Sequence, residues 1–117
     1  GFAGGGVYDW LLYDSHYTER FMDTPSDNPE GYKRASVLGK VSQYRDKDGS
    51  LLYLSHGTGD DNVHMQNTIQ LIDALQKEGK HFELMLYPGG MHGYRGYQND
   101  HSDNEEMRFW RKTLLKL

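Results

Sequence analysis

The feature that most constrains the fold is an unbroken apolar run, Leu51–Ser55, bounded by Asp48-Gly49 and His56-Gly57. A run without polar alternation is typical of a strand buried on both faces, as in a parallel sheet. An amphipathic segment, Met65–Lys77, follows it, and an alternating segment, His81–Tyr87, comes next. The order strand, helix, strand predicts a βαβ unit with a right-handed crossover, and therefore an α/β fold with a mostly parallel sheet and flanking helices.

The crossover helix and the second strand are predicted from the spacing of their apolar residues. In the helix these residues recur every three or four positions, and Gly79 supplies a stop. In the strand they alternate, which indicates a position nearer the sheet edge. The helical stripe is Met65, Ile69, Ile72 and Leu75, and the strand face is Phe82, Leu84 and Leu86.

The flanking segments complete the predicted order of elements. Residues 1–7 indicate a strand end running into a turn, and Trp10–Met22 has the aromatic spacing of a short helix or helical loop. Pro29 suits the first turn of another short helix, which ends near Ala35 or Leu38. The last predicted helix, about Ser102–Leu117, has an apolar stripe of Met107, Trp110, Leu114 and Leu117. Its acids come first (Asp103, Glu105, Glu106) and its bases later (Arg108, Arg111, Lys112, Lys116), as the helix dipole prefers.

Composition and charge narrow the classes of function. The hydrophobic fraction of 36% and the charged fraction of 26% predict a folded domain, and the net charge of −4 argues against a nucleic-acid partner. No apolar run approaches the roughly 20 residues of a membrane span, so none is predicted. With no cysteine in the chain, disulfides, cysteine nucleophiles and thiolate metal sites are excluded.

Two loops carry the candidate chemistry, and each follows a predicted strand. The first is residues 56–64, which contain Asp60, and the second is residues 88–93, which contain His92. Ligands bind at the carboxyl edge of open parallel sheets. An aspartate after one strand and a histidine after the next is the late half of a Ser…Asp…His order. Their spacing, 92 − 60 = 32 residues, suits one crossover helix and one strand.

Structural alternatives exist for both residues. Asp60 also suits the turn or the N-cap of the helix that begins near Met65, where Asp61 or Asn62 fits as well or better. His92 could also be an ordinary loop histidine whose only role is in the geometry of the turn. From the local pattern alone, these alternatives stay open.

The remaining candidates also have simpler interpretations. Trp10, Tyr13 and Tyr17 recur at a helical spacing that core packing alone explains. His56 and His64 could join the loop aspartate and histidine as zinc ligands. We predict no metal site, and we expect His56 to pack or hydrogen-bond beneath the loop.

Three motifs resemble one peptidase family. Residues 56–66, HGTGDDNVHMQ, resemble the aspartate loop of the dipeptidyl peptidase IV group within the prolyl oligopeptidase family. Residues 13–22, YDSHYTERFM, match the YDSxYTERxM pattern of that group, and His92-Gly93 matches its histidine loop. The resemblance covers nearly the whole chain. It implies that residues 1–117 are the C-terminal part of an α/β-hydrolase domain and therefore an incomplete domain.

The resemblance also implies roles for individual residues. Asp60 matches the triad aspartate and His92 the triad histidine. Asn62 matches a residue that hydrogen-bonds the substrate carbonyl at P2. The positions that match the lining of the proline-accepting S1 pocket are Val7, Trp10, Tyr13, Tyr17 and Val63. The implied activity is release of N-terminal Xaa-Pro or Xaa-Ala dipeptides from a peptide with a free N-terminus, without a cofactor.

The departures from the family pattern concern the nucleophile and the further domain. No G-x-S-x-G motif occurs, so the serine is expected upstream of Gly1. Also absent are the β-propeller, its glutamates that bind the substrate amine, and the tyrosine of the oxyanion hole. The chain alone is therefore expected to be inert and to associate with the missing N-terminal portion or as a homo-oligomer. The group's bacterial members favour a periplasmic or secreted location.

Two rival functions follow from the same motifs. Another peptidase of the family, such as an acylaminoacyl peptidase, is disfavoured by the YDSxYTER pattern. A catalytically dead relative that acts as a binding protein would carry a substituted serine. An upstream G-W-S-Y-G sequence would favour the enzyme over the binding protein.

Overall fold

The computed structural model describes residues 1–46 and 51–116, where three parallel strands are flanked by helices. The strands are β1 (Phe2–Gly4), β2 (Tyr53–Gly57) and β3 (Glu83–Tyr87), and the α-helices are α1 (Ser15–Met22), α2 (Pro29–Ala35), α3 (Gln66–Lys77) and α4 (Tyr97–Trp110). Trp10–Leu12 and Leu38–Gln43 are 3₁₀ helices, and Arg111–Leu115 is a π-helical turn. The sheet order is β1-β2-β3. The predicted α/β class with a parallel sheet is confirmed.

Strand β2 lies at the centre of the sheet and is buried along its whole length. The predicted strand, Leu51–Ser55, begins two residues too early, because backbone pairing with β3 runs from Tyr53 to Gly57. The Asp48-Gly49 boundary lies outside the described residues. Leu54 is fully buried in the core, as expected for the middle strand of a parallel sheet.

Helix α3 packs against the sheet and contributes two of the buried core residues, Leu71 and Leu75. It begins one residue after the predicted start and ends as predicted, where Gly79 adopts a positive φ of 64°. The predicted stripe is confirmed at Leu75 and at Ile72, which packs against the core, but not at Ile69. Leu71 and Leu75 pack into the core with Leu54, whereas Ile69 is exposed.

Strand β3 is an outer strand of the described sheet, as its alternation predicts. It begins at Glu83, two residues later than predicted. Phe82 and Leu84 pack against the core, whereas Leu86 is exposed at the carboxyl end of the strand.

The aromatic segment predicted as a short helix or helical loop forms two short helices, each opened by a capping aspartate. Asp9 accepts a hydrogen bond from the Leu11 N–H and opens the first 3₁₀ helix, and Asp14 accepts one from the His16 N–H and opens α1. Tyr13 lies in the extended break between them, with φ −126° and ψ 167°. The predicted helix at Pro29 is confirmed over Pro29–Ala35.

The prediction for the last helix is wrong in both its start and its buried face. Helix α4 begins at Tyr97, so the acids expected in its first turn lie in its middle. Met107 and Leu114 are exposed. The buried apolar residue of α4 is Phe109, because it packs on Phe2 and Tyr53, at ring-centroid distances of 5.9 and 5.6 Å. Of the remaining stripe residues, Trp110 is partly buried and Leu117 lies outside the described residues.

Candidate active site

Two loops leave the carboxyl ends of β2 and β3 side by side. They are the aspartate loop, residues 58–65, and the histidine loop, residues 88–96. Gly57 permits their close approach, since a Cβ at this position would overlap the carbonyl oxygen of Gly90 and lie 2.6 Å from that of Met91. The absence of a side chain at Gly57 therefore brings the two loops together.

Hydrogen bonds fasten the two loops to each other. The Thr58 N–H donates to the Tyr87 carbonyl at 3.0 Å, and the Gly59 N–H donates to the Gly90 carbonyl at 2.9 Å. The Gly89 N–H donates to the Thr58 hydroxyl oxygen at 2.7 Å. These bonds hold the backbone of one loop in register with the other.

The Asp60 side chain is buried beneath this pair of loops and accepts several hydrogen bonds. Its Oδ1 atom accepts from the N–H groups of Asn62 at 3.0 Å and Val63 at 2.9 Å, and its Oδ2 atom faces Nδ1 of His92 at 3.0 Å. Burial alone would raise the pKa of the carboxyl, but these hydrogen bonds outweigh it and hold the pKa below its ordinary value. Asp60 is therefore held as a carboxylate.

A pH dependence of the aspartate loop follows from this lowered pKa. The carboxylate stabilises the folded loop above the ordinary pKa of 3.8, and this stabilisation is lost as the pH falls through the lower folded-state pKa. Hydrogen-exchange protection of the Asn62 and Val63 amides should therefore decline below about pH 4. In Asp60→Asn the protection should be nearly independent of pH. Equal pH dependence in both proteins would contradict this account.

His92 lies over the buried carboxylate with its side chain 48% exposed. A carboxylate oxygen only accepts, so Nδ1 carries the proton that it donates to Asp60. In the neutral ring this leaves Nε2 unprotonated, and it has no hydrogen-bond partner among residues 1–46 and 51–116. The pair therefore presents one basic nitrogen at the surface of the site.

Gly5, at the end of β1, lies against the same pair. Its φ is +56°, and its N–H donates to the Ser55 carbonyl at 3.0 Å. A Cβ here would lie 3.2 Å from Nδ1 of His92 and 3.5 Å from Oδ2 of Asp60. A side chain would be strained by the left-handed backbone and would press on the histidine ring.

An aromatic cluster stands beside the loops, formed by Trp10, Tyr13 and Tyr17. The Tyr13 ring lies 5.5 Å from that of Tyr17 and 6.0 Å from that of Trp10, both edge-on. Tyr17 and Trp10 are 6.5 Å apart and nearly parallel. The 3₁₀ helix and α1 hold these rings together, and half of Tyr17 remains exposed.

A hydrogen bond links this cluster to the aspartate loop. The Tyr13 hydroxyl donates to Oδ1 of Asn62 at 2.7 Å. This contact assigns the carbonyl side of the Asn62 amide to Tyr13 and leaves its NH₂ group as a donor. Of the two valines expected at the site, Val63 is buried and Val7 is partly buried.

Asn67 is a structural residue of the site that the sequence prediction missed. It is fully buried on α3, where its Oδ1 accepts from the Tyr8 N–H at 3.2 Å and its Nδ2 donates to the Leu12 carbonyl at 3.0 Å. These bonds anchor the aromatic segment to the crossover helix. The available signal was a pair of polar residues, Asn67 and Thr68, directly before the apolar turn of α3.

The sequence prediction also missed two tyrosines that hold the histidine loop in place, Tyr87 and Tyr94. The Tyr94 ring packs on that of Tyr87 at a tilt of 33°, with 4.3 Å between ring centroids, and its hydroxyl donates to Oγ of Ser55 at 3.1 Å. The Tyr87 hydroxyl lies 3.0 Å from Nδ1 of His101 on α4. The loop is thus tied to the central strand and to the last helix.

The other two histidines considered as metal ligands, His56 and His64, lie in different surroundings. His64 is exposed, whereas His56 is buried and hydrogen-bonded to Thr68 and Val63. In the part of the chain that the structure describes, no group of three or more ligand side chains could hold a metal ion. No helix in that part is both long and apolar enough to cross a membrane.

A buried aspartate and a histidine on adjacent loops at the carboxyl edge of a parallel sheet define the class of the fold as α/β-hydrolase. The chain belongs to the prolyl oligopeptidase family (peptidase S9), whose sequence profile matches residues 1–116.

The relatives are longer peptidases. Dipeptidyl aminopeptidase A of Saccharomyces cerevisiae is 36% identical over 105 residues, which are 89% of this chain and 11% of that protein. A Neurospora crassa protein named "Probable dipeptidyl-aminopeptidase B" is 44% identical over 94 residues, 80% of this chain and 10% of that protein. The crystal structure of Porphyromonas gingivalis dipeptidyl peptidase 4 superposes with a TM-score of 0.91 at 38% identity, over 97% of this chain and 16% of that one. The chain thus spans about a tenth of the length of the curated relatives.

Proposed function

We propose that residues 1–117 form the C-terminal part of the catalytic domain of a serine dipeptidyl peptidase, and that they supply the acid and the base of its triad. The observation that carries the proposal is the 3.0 Å contact between Nδ1 of His92 and the buried carboxylate of Asp60. The similarity to dipeptidyl aminopeptidases supports this class of substrate.

The proposed mechanism is acyl transfer through a serine that precedes this chain in the longer protein. As the serine Oγ attacks the scissile carbonyl, its proton passes to Nε2 of His92. The imidazolium then gives this proton to the leaving amine nitrogen as the C–N bond breaks, and water repeats the cycle on the acyl-enzyme. Asp60 keeps the proton of the neutral ring on Nδ1 and stabilises the imidazolium.

The aromatic cluster and Asn62 are proposed to bind the substrate. A flat apolar proline ring suits a pocket walled by Trp10, Tyr13 and Tyr17, with Val7 and Val63 completing the S1 lining. The NH₂ group of Asn62 is oriented to donate to the carbonyl of the residue at P2.

The proposed role of the Tyr13 hydroxyl gives a measurable prediction. In the full-length protein, Tyr13→Phe keeps the ring but removes the bond that orients the Asn62 amide. We expect KM for Ala-Pro-anilide to rise about 3- to 10-fold with kcat little changed, as for the loss of one hydrogen bond. Tyr97→Phe, at an exposed ring on α4, is the matched control. An unchanged KM in Tyr13→Phe would show that this bond does not serve substrate binding.

The nucleophile and the amine-binding groups are proposed to come from the N-terminal portion of the longer protein. None of the serines of this chain follows the G-x-S-x-G pattern, and loss of a triad nucleophile lowers kcat by several orders of magnitude. The 117-residue chain alone is therefore expected to be inert.

The test is hydrolysis of Ala-Pro-anilide by the full-length protein, with N-acetyl-Ala-Pro-anilide as the matched substrate and the 117-residue chain as control. We expect cleavage of the free amine only, and none by the isolated chain. Cleavage of the acetylated substrate would indicate another peptidase specificity. No hydrolysis by a folded full-length protein would favour a catalytically dead binding protein. Hydrolysis by the isolated chain would contradict an upstream serine.

A further inference from the structure

His56 is a fully buried imidazole that the proposed mechanism does not use. It is the penultimate residue of the central strand, before Gly57, and its side chain lies beneath the aspartate loop. Its Nδ1 atom is 2.7 Å from Oγ1 of Thr68 on α3, and its Nε2 atom is 2.7 Å from the carbonyl oxygen of Val63. Both ring nitrogens are thus engaged in short hydrogen bonds.

The partners of His56 define where its proton lies. A carbonyl oxygen only accepts, so Nε2 carries a proton and donates it to Val63. In the neutral ring Nδ1 then accepts from the Thr68 hydroxyl. The Nε2 atom also lies 3.4 Å from Oδ2 of Asp60, the oxygen that faces His92. The ring therefore packs against the buried side of the carboxylate, while its Nε2–H is donated to Val63.

Val63 connects this ring to the other oxygen of the same carboxylate. Its N–H donates to Oδ1 of Asp60 at 2.9 Å, while its carbonyl accepts from His56. Through its Nε2 atom the imidazole thus both holds the turn from Asp60 to Val63 and lies against the carboxylate. Through Thr68, the same ring is tied to the crossover helix.

We propose that His56 is a positioning residue, which joins the central strand, α3 and the aspartate loop and holds Oδ2 of Asp60 towards His92. The inference rests on the proposed catalytic pair, and it adds a second histidine, whose effect is exerted through Asp60. A misplacement of about 1 Å in such a pair lowers the rate about 10²-fold.

The test uses variants of the full-length protein, with active sites counted by a serine-directed fluorophosphonate. His56→Leu removes both hydrogen bonds, whereas His56→Gln can keep a donor to the Val63 carbonyl. Per active site, His56→Leu should lower kcat for Ala-Pro-anilide about 10- to 100-fold. It should also shift the acidic side of the pH profile of kcat/KM. His56→Gln should recover most of the lost activity. His64→Leu, at an exposed histidine of the same loop, is the matched control.

Two outcomes would overturn the inference. One is His56→Leu with wild-type kcat and pH profile per active site, which would leave the ring a packing residue only. The other is unchanged hydrogen-exchange protection of the Asn62 and Val63 amides in His56→Leu, a measurement that needs no activity. If Asp60→Asn retained full activity, the proposed function would fail, and the exchange measurement would still decide whether His56 holds the loop.

Discussion

Asp60→Asn in the full-length protein is expected to lower kcat for Ala-Pro-anilide about 10⁴-fold. The asparagine fits the same space, but its amide no longer holds the His92 ring with the proton on Nδ1 and cannot stabilise the imidazolium. Since the substrate-binding groups are separate side chains, KM should change much less than kcat. The measurement is a steady-state comparison of the two proteins at the pH optimum of the wild type.

Asp61→Asn is the matched control for this prediction. Asp61 is the adjacent residue, carries the same charge and is exposed, whereas Asp60 is buried. The control should therefore retain activity within a few-fold of the wild type. A large loss in Asp61→Asn with activity kept in Asp60→Asn would contradict the assignment of the acid role to Asp60.

Gly57→Ala is expected to have the largest effect on the structure of the site. The added methyl group would overlap the Gly90 carbonyl and come within 2.6 Å of the Met91 carbonyl oxygen. Both are backbone atoms, so the histidine loop must move and the contact between Asp60 and His92 must lengthen. We expect a loss of about 1–3 kcal/mol in the free energy of unfolding and a fall in kcat/KM of about 10²-fold.

Urea denaturation followed by tryptophan fluorescence, together with steady-state kinetics, measures both effects. Gly39→Ala is the matched control, because a Cβ at Gly39 meets nothing within 4 Å and its φ is not in the left-handed region. It should change the free energy of unfolding by no more than about 0.5 kcal/mol. Wild-type stability and activity in Gly57→Ala would show that the two loops do not depend on this close approach.

The extent of successful prediction differs between elements, and local signals explain the difference. The centre of the sheet was predictable because an apolar strand, a capped amphipathic helix and an alternating strand each carry their own pattern. The start of helix α4 was predicted five residues too late, 102 − 97, since its N-cap residue, Gly96, provides no side-chain cap. Its buried face depends on Phe109 meeting Phe2, a residue more than a hundred positions away.

The candidate site also contains residues that could be predicted from the sequence and residues that could not. Spacing after two predicted strands was enough to pair Asp60 with His92 as candidates, because parallel strands end at one edge of the sheet. The expectation that His56 packs or hydrogen-bonds beneath the loop is confirmed, but its contact with Asp60 could not be predicted, since its three partners come from a loop and a helix. The need for glycine at position 5 was not predictable either. It arises because the His92 side chain, 92 − 5 = 87 positions later, lies next to the Gly5 backbone.

The sequence by itself determined the order of strands and helices, the caps of the short helices and the two loops that hold the acid and the base. These features depend on neighbours within a few residues, where side-chain periodicity and capping act directly. Only the tertiary structure decided which face of each helix is buried, how the Asn62 amide is oriented by Tyr13 and how His56 meets Asp60. Those contacts join residues from different elements, and their geometry exists only once the sheet and the helices have packed together.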